Sequence, residues 1–254
     1  MNTRQIWQGT LAVGILVIGV LISGCQTQSE TITVATDATW PPFEYIDEES
    51  KEIVGFDIDL MRTIAEEADL DVEFVNVSWD ALLAGVAQGE YDAAISVITI
   101  TDERRERMLF SDPYYDAGQV VVVRTADAAD FSSEADLAGR TAGAQIGTTG
   151  AMAIEEIEDT TLKTYDTIDL AFLDLLNGQI DAVVCDNPLA VGYVNQYAGE
   201  LEIVTEPFTD EQYGIAAPPG SEELIAQINE GLAAVLEQGI IEELEARWLS
   251  GETP

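Results

Sequence analysis

The spacing of apolar residues along this chain switches repeatedly between two periods. Residues 31–35 (TITVA) alternate and predict a first strand. Residues 55–60 (GFDIDL) open a helix with Asp57 as its N-cap, and Leu60, Met61, Ile64, Ala65 and Ala68 form its apolar face. A strand over 72–77 and a helix over 79–87 follow. Then Ala93, Ala94, Ile95, Val97 and Ile98 mark a buried strand. Residues 119–124 (QVVVVR) predict a long apolar strand that passes between two lobes. Further strands are expected at 144–146, 162–165, 201–204 and 213–217. Helices are expected at 151–157, 170–176, 191–197, 221–238 (N-capped by Ser221) and 240–249, with loop and a short helix over 131–140. Strand–helix alternation throughout argues an α/β fold.

The stretch 91–105 (YDAAISVITITDERR) runs from strand to helix start, with Thr101 and Asp102 as capping residues. Backbone N–H groups at such a junction suit a carboxylate. Ser96 and Thr99 add hydroxyls, and Arg104 adds a two-pronged cation. Residues 88–96 (QGEYDAAIS) match residues 177–185 (NGQIDAVVC) in kind, position by position. Each copy follows an apolar helical run and reads as helix, Gly stop and short buried strand. The first copy leads to Arg104 and its hydroxyls, the second to Asp186. Two similar halves facing each other with complementary charge would suit a small zwitterion. Residues 147–150 (GTTG) open a helix and offer the Thr148 and Thr149 hydroxyls. No Lys follows these glycines, so they are not a Walker loop. The loop after the first strand carries Asp37, Trp40, two prolines and Phe43. Trp40 is placed to stack on a ligand and Phe43 to plug the core.

Composition changes this picture at the N-terminus and at the surface. The chain has 254 residues. Arg4, the apolar run 11–22 and Cys25 read in order as a signal peptide over 1–24 that resembles a lipobox, with Cys25 as the lipid attachment site. Residues 25–30 would then be a polar tether. Cys185 would be the only remaining cysteine, which leaves no intrachain disulfide and no structural zinc. The chain has no histidine, which excludes Cys–His and Ser–His–Asp nucleophiles. Asp and Glu number 48 against 10 Lys and Arg, a net charge of −38. Nucleic acid is excluded as a partner by repulsion from phosphate. The acidic runs read as solvated surface adapted to high salt.

The whole stretch from Thr31 to Trp248 resembles the family 3 extracellular solute-binding proteins, the polar amino-acid receptors of ABC importers. The resemblance rests on PPFEY, GFDIDL, YDAAISVITITDERR with FSDPYY, GAQIGTTG and NGQIDAVVCD. It implies a two-lobed, type II periplasmic-binding-protein-like fold with two crossover strands, near 117–124 and 209–216, and a ligand in the interlobe cleft. The lobes would be 31–118 with 213–254, and 119–212. Carried over by position, Arg104 grips the ligand carboxylate, assisted by Thr99, the Val97 backbone N–H, Thr148 and Thr149. Asp186 accepts from the α-ammonium, Trp40 stacks on the ligand side chain, and Asp37 with Gln145 tunes selectivity. Val97 departs from the small residue usual there. Gln145 stands where glutamine receptors of the family carry a lysine, which with Asp37 points to a cationic ligand such as arginine or lysine. The resemblance further implies a monomeric, membrane-anchored, extracytoplasmic receptor that meets an ABC transporter permease and needs no cofactor or metal.

Two other classes compete. A cyclohexadienyl dehydratase-like enzyme on the same fold would need a general acid in the cleft, for which Glu44 is the candidate. The sensor module of a signalling receptor is the third class; against it, no transmembrane or kinase segment follows Trp248 in this sequence.

Overall fold

The computed structural model describes residues 31–249. The leader expected over 1–24, the tether over 25–30 and Cys25 lie outside the described residues. Two five-stranded sheets, each flanked by helices, form two lobes. In the first sheet, Ile32–Thr36 lies between Val72–Asn76 and Ala93–Ala94, parallel to both. The helices Phe56–Glu67 and Trp79–Gln88 are the crossovers. In the second sheet, Thr141–Gln145 lies between Thr161–Tyr165 and Ala182–Asp186 in the same parallel arrangement. Its crossovers are Thr149–Glu155 and Ile168–Leu176. Antiparallel strands complete both: Ala216–Ala217 and Leu109–Phe110 in the first, Gln119–Arg124 and Leu201–Ile203 in the second.

The sequence repeat has a physical basis in this layout. Gly89 and Gly178 both end their helical run in the left-handed region, at φ 74° and 70°. Two Asp side chains then repeat one bond. Asp92 accepts the Thr33 N–H at 2.8 Å, and Asp181 accepts the Thr141 N–H at 2.8 Å. Each carboxylate ties its strand to the start of the parallel strand beside it.

Two segments cross between the lobes, but the first crosses earlier than its sequence implied. Tyr115–Ala117 pairs antiparallel with Glu211–Tyr213 as a separate two-stranded ribbon. Gln119–Arg124 does not cross. It pairs with Ala182–Asp186 inside the second sheet, with Val120 to Val123 buried. Its unbroken valines reflect burial on both faces of a sheet. The Tyr213 ring is fully buried, stacked on Tyr115 at 5.8 Å and edge-on to Phe43 at 6.0 Å.

Three other expectations are corrected near the cleft. The PPFEY segment is not a plain loop: Thr39–Trp40, Glu44–Ile46 and Ile53–Val54 form a small antiparallel sheet. The strand expected to reach Ile98 stops at Ala94, and Val97 takes φ 43°. The Phe56–Glu67 helix is capped by Gly55, not Asp57. At φ 137° a Cβ on Gly55 would lie 2.1 Å from the Phe43 carbonyl oxygen, so only glycine fits. Asp57 instead turns inward and is fully buried.

Candidate functional site

Arg104 lies in the short helix Asp102–Arg105, whose cap Thr101 accepts the Arg104 N–H at 3.2 Å. The residue is 6% exposed, and its guanidinium touches both lobes. Nη1 donates to the Thr99 carbonyl at 2.7 Å, and Nη2 donates to the Gly147 carbonyl of the other lobe at 3.3 Å. The cation sits 5.3 Å from the centre of the Trp79 ring. Burial pulls its pKa down, while Asp186, Glu211 and Glu103 hold it up; an arginine stays charged under these conditions.

Opposite Arg104, Asp186 ends its strand and is 4% exposed. Its Oδ1 accepts the Gln119 amide at 2.6 Å. Burial, and then the charge of Glu211, push its pKa up to about 7 against the pull of Gln119 and Arg104. Glu211 is the hub of this end. Its Oε2 accepts the Thr99 hydroxyl from the first lobe and the Thr149 hydroxyl from the second, both at 2.8 Å, and its Oε1 accepts the Thr209 hydroxyl at 2.8 Å. The Gln119 amide also reaches Thr149 Oγ1 at 3.1 Å.

Asp37, Gln145 and Trp40 form a second group. Gln145 donates across the cleft to Asp37 at 3.0 Å and to the Asp166 carbonyl at 3.1 Å. Burial raises the Asp37 pKa, opposed by Gln145, by the Thr39 hydroxyl and by the Trp79 backbone N–H. Trp40 is 3% exposed and lies 6.2 Å from the Trp79 ring, which links this group to Arg104. The indole nitrogens of Trp40 and Trp79 and the Gln145 carbonyl oxygen are buried with no hydrogen-bond partner. Buried polar groups in that state are uncommon.

Cross-lobe contacts bring Asp37, Gln145, Thr99, Thr149 and Arg104 to the interlobe surface. The donor roles of the predicted residues, however, differ from expectation. The Val97 N–H faces away from the cleft and donates to Asp57 Oδ2 at 2.8 Å. The Ser96 hydroxyl donates to Glu44 at 2.7 Å. Thr148 caps its helix, accepting the Ala151 N–H and donating to the Gln145 carbonyl at 2.8 Å. Thr99 and Thr149 give their protons to Glu211. Among the side chains expected to hold a carboxylate, Arg104 is the one that carries a positive charge, and its guanidinium donates to the Thr99 and Gly147 carbonyls. Glu211, Gln119 and Trp79 were not singled out from sequence. Gln119 left a signal, since it is the one polar residue opening a run of valines; Glu211 left none.

Among the described residues, no group of three His, Cys, Asp or Glu side chains is placed to hold a metal ion. The sequence profile of the bacterial extracellular solute-binding proteins, family 3, matches residues 32–251. The chain belongs to this family. It is similar to the ABC transporter arginine-binding protein 1 of Escherichia coli K12, with 35% identity over 87% of this chain and 91% of that protein. Among solved structures it is similar to the arginine-, lysine-, histidine-binding protein ArtJ of Geobacillus stearothermophilus, at TM-score 0.82 and 39% identity, covering 89% of this chain and 97% of that one. It is also similar to the ancestral amino acid-binding protein AncCDT-1, a precursor of cyclohexadienyl dehydratase. That match has TM-score 0.80 and 34% identity, over 87% of this chain and 96% of that one.

Proposed function

We propose that this chain is the extracytoplasmic receptor of an ABC importer for a cationic L-amino acid, captured by closure of the two lobes and passed to the permease. The observation that carries this reading is the charge layout of the cleft. One end holds the Arg104 cation and the Asp186 carboxylate close enough for each charge to act on the other, and the other end places Asp37 beside Gln145, with Trp40 nearby. A zwitterion's head group meets an opposite charge at each pole, and a distal cation meets Asp37 against an aromatic face. The curated and structural relatives that bind arginine, lysine or histidine support the same choice. The lipid anchor at Cys25, the monomeric state and the saline habitat implied by the acidic surface belong to this proposal.

The dehydratase reading fares worse. Its candidate acid, Glu44, is fully buried beneath the cleft, accepts the Ser96 hydroxyl and lies against Asp57. A general acid must reach its substrate within hydrogen-bond distance. We therefore read the chain as a binder rather than an enzyme.

A thermal-shift panel of all standard amino acids plus prephenate, run at high salt, tests the reading. A ligand at 100 times its Kd adds about 2.7 kcal/mol of stability. For a chain of this size that raises the midpoint by roughly 5–10 °C, at ~2–4 °C per kcal/mol. Arginine, lysine or histidine should give the largest shift. A panel with no amino-acid response removes the receptor reading, and product formed from prephenate replaces it with the enzyme.

Binding should also depend on pH through Asp186. Its native pKa of about 7 lies above its ordinary 3.8. Between those values the unliganded fold holds a proton that the unfolded chain has lost. The stability from neutral Asp186 is thus complete at low pH and is lost as pH rises through that window. Ligand affinity runs the other way, because an α-ammonium needs the ionised carboxylate. We expect affinity to fall as pH drops below about 7, approaching tenfold per unit, with proton release on binding. Calorimetry at pH 5.5, 7 and 8.5 in two buffers reads both effects. A flat profile would take Asp186 out of the ammonium site.

A further inference from the structure

We propose that Glu211 is a specificity-determining residue of this cleft: its carboxylate turns the Thr99 and Thr149 hydroxyls into acceptors and, beside Asp186, restricts this end of the site to ligands carrying an ammonium group. The inference deepens the receptor reading and rests on it.

A threonine hydroxyl has one proton and two lone pairs. Thr99 and Thr149 both direct that proton to Glu211 Oε2, at 2.8 Å each. The 3.4 Å contact between the two hydroxyl oxygens then has no proton of its own. What these hydroxyls can offer a ligand is lone pairs. The nearest donor, the Gln119 amide, is already taken by Asp186 at 2.6 Å and by Thr149 at 3.1 Å. The space between Asp186 and Glu211 is therefore lined by acceptors, two carboxylates and two hydroxyl oxygens, with the Arg104 cation beside it donating to the Thr99 carbonyl.

An ammonium group brings three donors and no acceptor, and it matches such a set. A 2-keto group brings only lone pairs, and a methylene brings nothing. Either would leave the negative charge of two buried carboxylates without a countercharge from the ligand, which is how polar sites reject near-isosteric analogues by large factors. Glu211 also joins the selection to closure. It stands on the crossing ribbon, and its two threonine partners come one from each lobe. Only when the lobes meet do both hydroxyls reach the same oxygen and take their acceptor orientation. Glu211 and Asp186 are close enough for each to act on the other, as the influence of the Glu211 charge on Asp186 shows.

The test uses the full chain, two variants and two probes, L-arginine and its des-amino analogue 5-guanidinopentanoate, in calorimetry at pH 8. The wild-type chain should prefer arginine by roughly 100-fold or more. Glu211→Gln keeps an oxygen for both hydroxyls but removes the charge. Arginine affinity should fall roughly 10- to 100-fold, with the analogue unchanged. Glu211→Ala frees both hydroxyl protons to donate, so arginine should weaken further while the analogue binds better than to wild type. A wild-type chain that binds both probes equally overturns the proposal and leaves the receptor reading standing. An equal loss for both probes in both variants also overturns it, reducing Glu211 to a support for closure. A wild-type chain that binds neither probe removes the cationic receptor reading, and this proposal with it.

Discussion

Replacing Arg104 by alanine is expected to weaken binding of the cognate amino acid by roughly 2–5 kcal/mol, or about 30- to several-thousand-fold. The side chain is 6% exposed, so a ligand carboxylate paired with it has left water. Without the guanidinium that carboxylate would be buried with no counter-charge, beside the carboxylates of Asp186 and Glu211. No other predicted donor carries a positive charge, and Val97, Thr99, Thr148 and Thr149 each have a single N–H or O–H that is directed to a protein acceptor. Arg104→Lys should recover little. A lysine cannot present two donors in one plane, here reaching carbonyls of both lobes, nor stack as a flat cation over Trp79. Arg105, on the same short helix but exposed, is the control, and Arg105→Ala should bind normally. Calorimetry at high salt decides the matter. Affinity within twofold of wild type in Arg104→Ala would remove Arg104 from the site.

The parts of this site that were legible from sequence are those that sit in repeated or patterned surroundings. The duplicated helix–Gly–strand unit pointed to Arg104 and Asp186: Asp186 ends the strand of its copy, and Arg104 lies in the short helix that follows the other. The strand–helix alternation was legible because each sheet buries its strands beneath helices, which forces the two periods into the sequence. Glu211 was not legible. It lies in a three-residue strand, too short for any period, within a chain of 48 acidic residues where one more carries no contrast. Asp57 was misread for a related reason. An acid one residue into a helix usually faces water, and only the tertiary fold shows that this one is sealed from it. The valine run at 120–123 was read as a crossing strand because burial on both faces of a sheet looks, in sequence, like any continuous apolar run. Residues whose role depends on a partner more than 50 positions away leave little local trace. Thr99, whose partner Glu211 lies 112 positions away, is such a residue, and Trp79 meets Arg104 over a shorter separation but likewise only in the folded chain.

The largest expected effect on stability comes from Asp57→Ala. Asp57 is fully buried, and its Oδ2 accepts the Val97 N–H and the Tyr114 hydroxyl, each at 2.8 Å. Val97 is held at φ 43°, where a β-branched residue is strained by about 1–3 kcal/mol, so the bond to Asp57 is part of what keeps the turn between Ala94 and Thr99 in shape. Alanine at 57 would leave the Val97 N–H and the Tyr114 hydroxyl unpaired in the core. Removing the Asp57 charge also relieves its repulsion of Glu44, which offsets part of that loss. Losses of this kind total roughly 3–5 kcal/mol. At ~2–4 °C per kcal/mol the melting midpoint should fall by roughly 6–20 °C. Asp57→Asn keeps an acceptor and should lose less. Both substitutions also change the pH response. Burial raises the pKa of both Asp57 and Glu44, so the native pair retains protons that the unfolded chain gives up, and stability declines as pH climbs through that range. Asparagine removes the Asp57 share of that slope, which melting curves between pH 4 and pH 8 can resolve. A midpoint for Asp57→Ala within 2 °C of wild type would mean that Val97 holds its strained backbone without Asp57, and that the acid pair beneath the cleft is tolerated rather than structural.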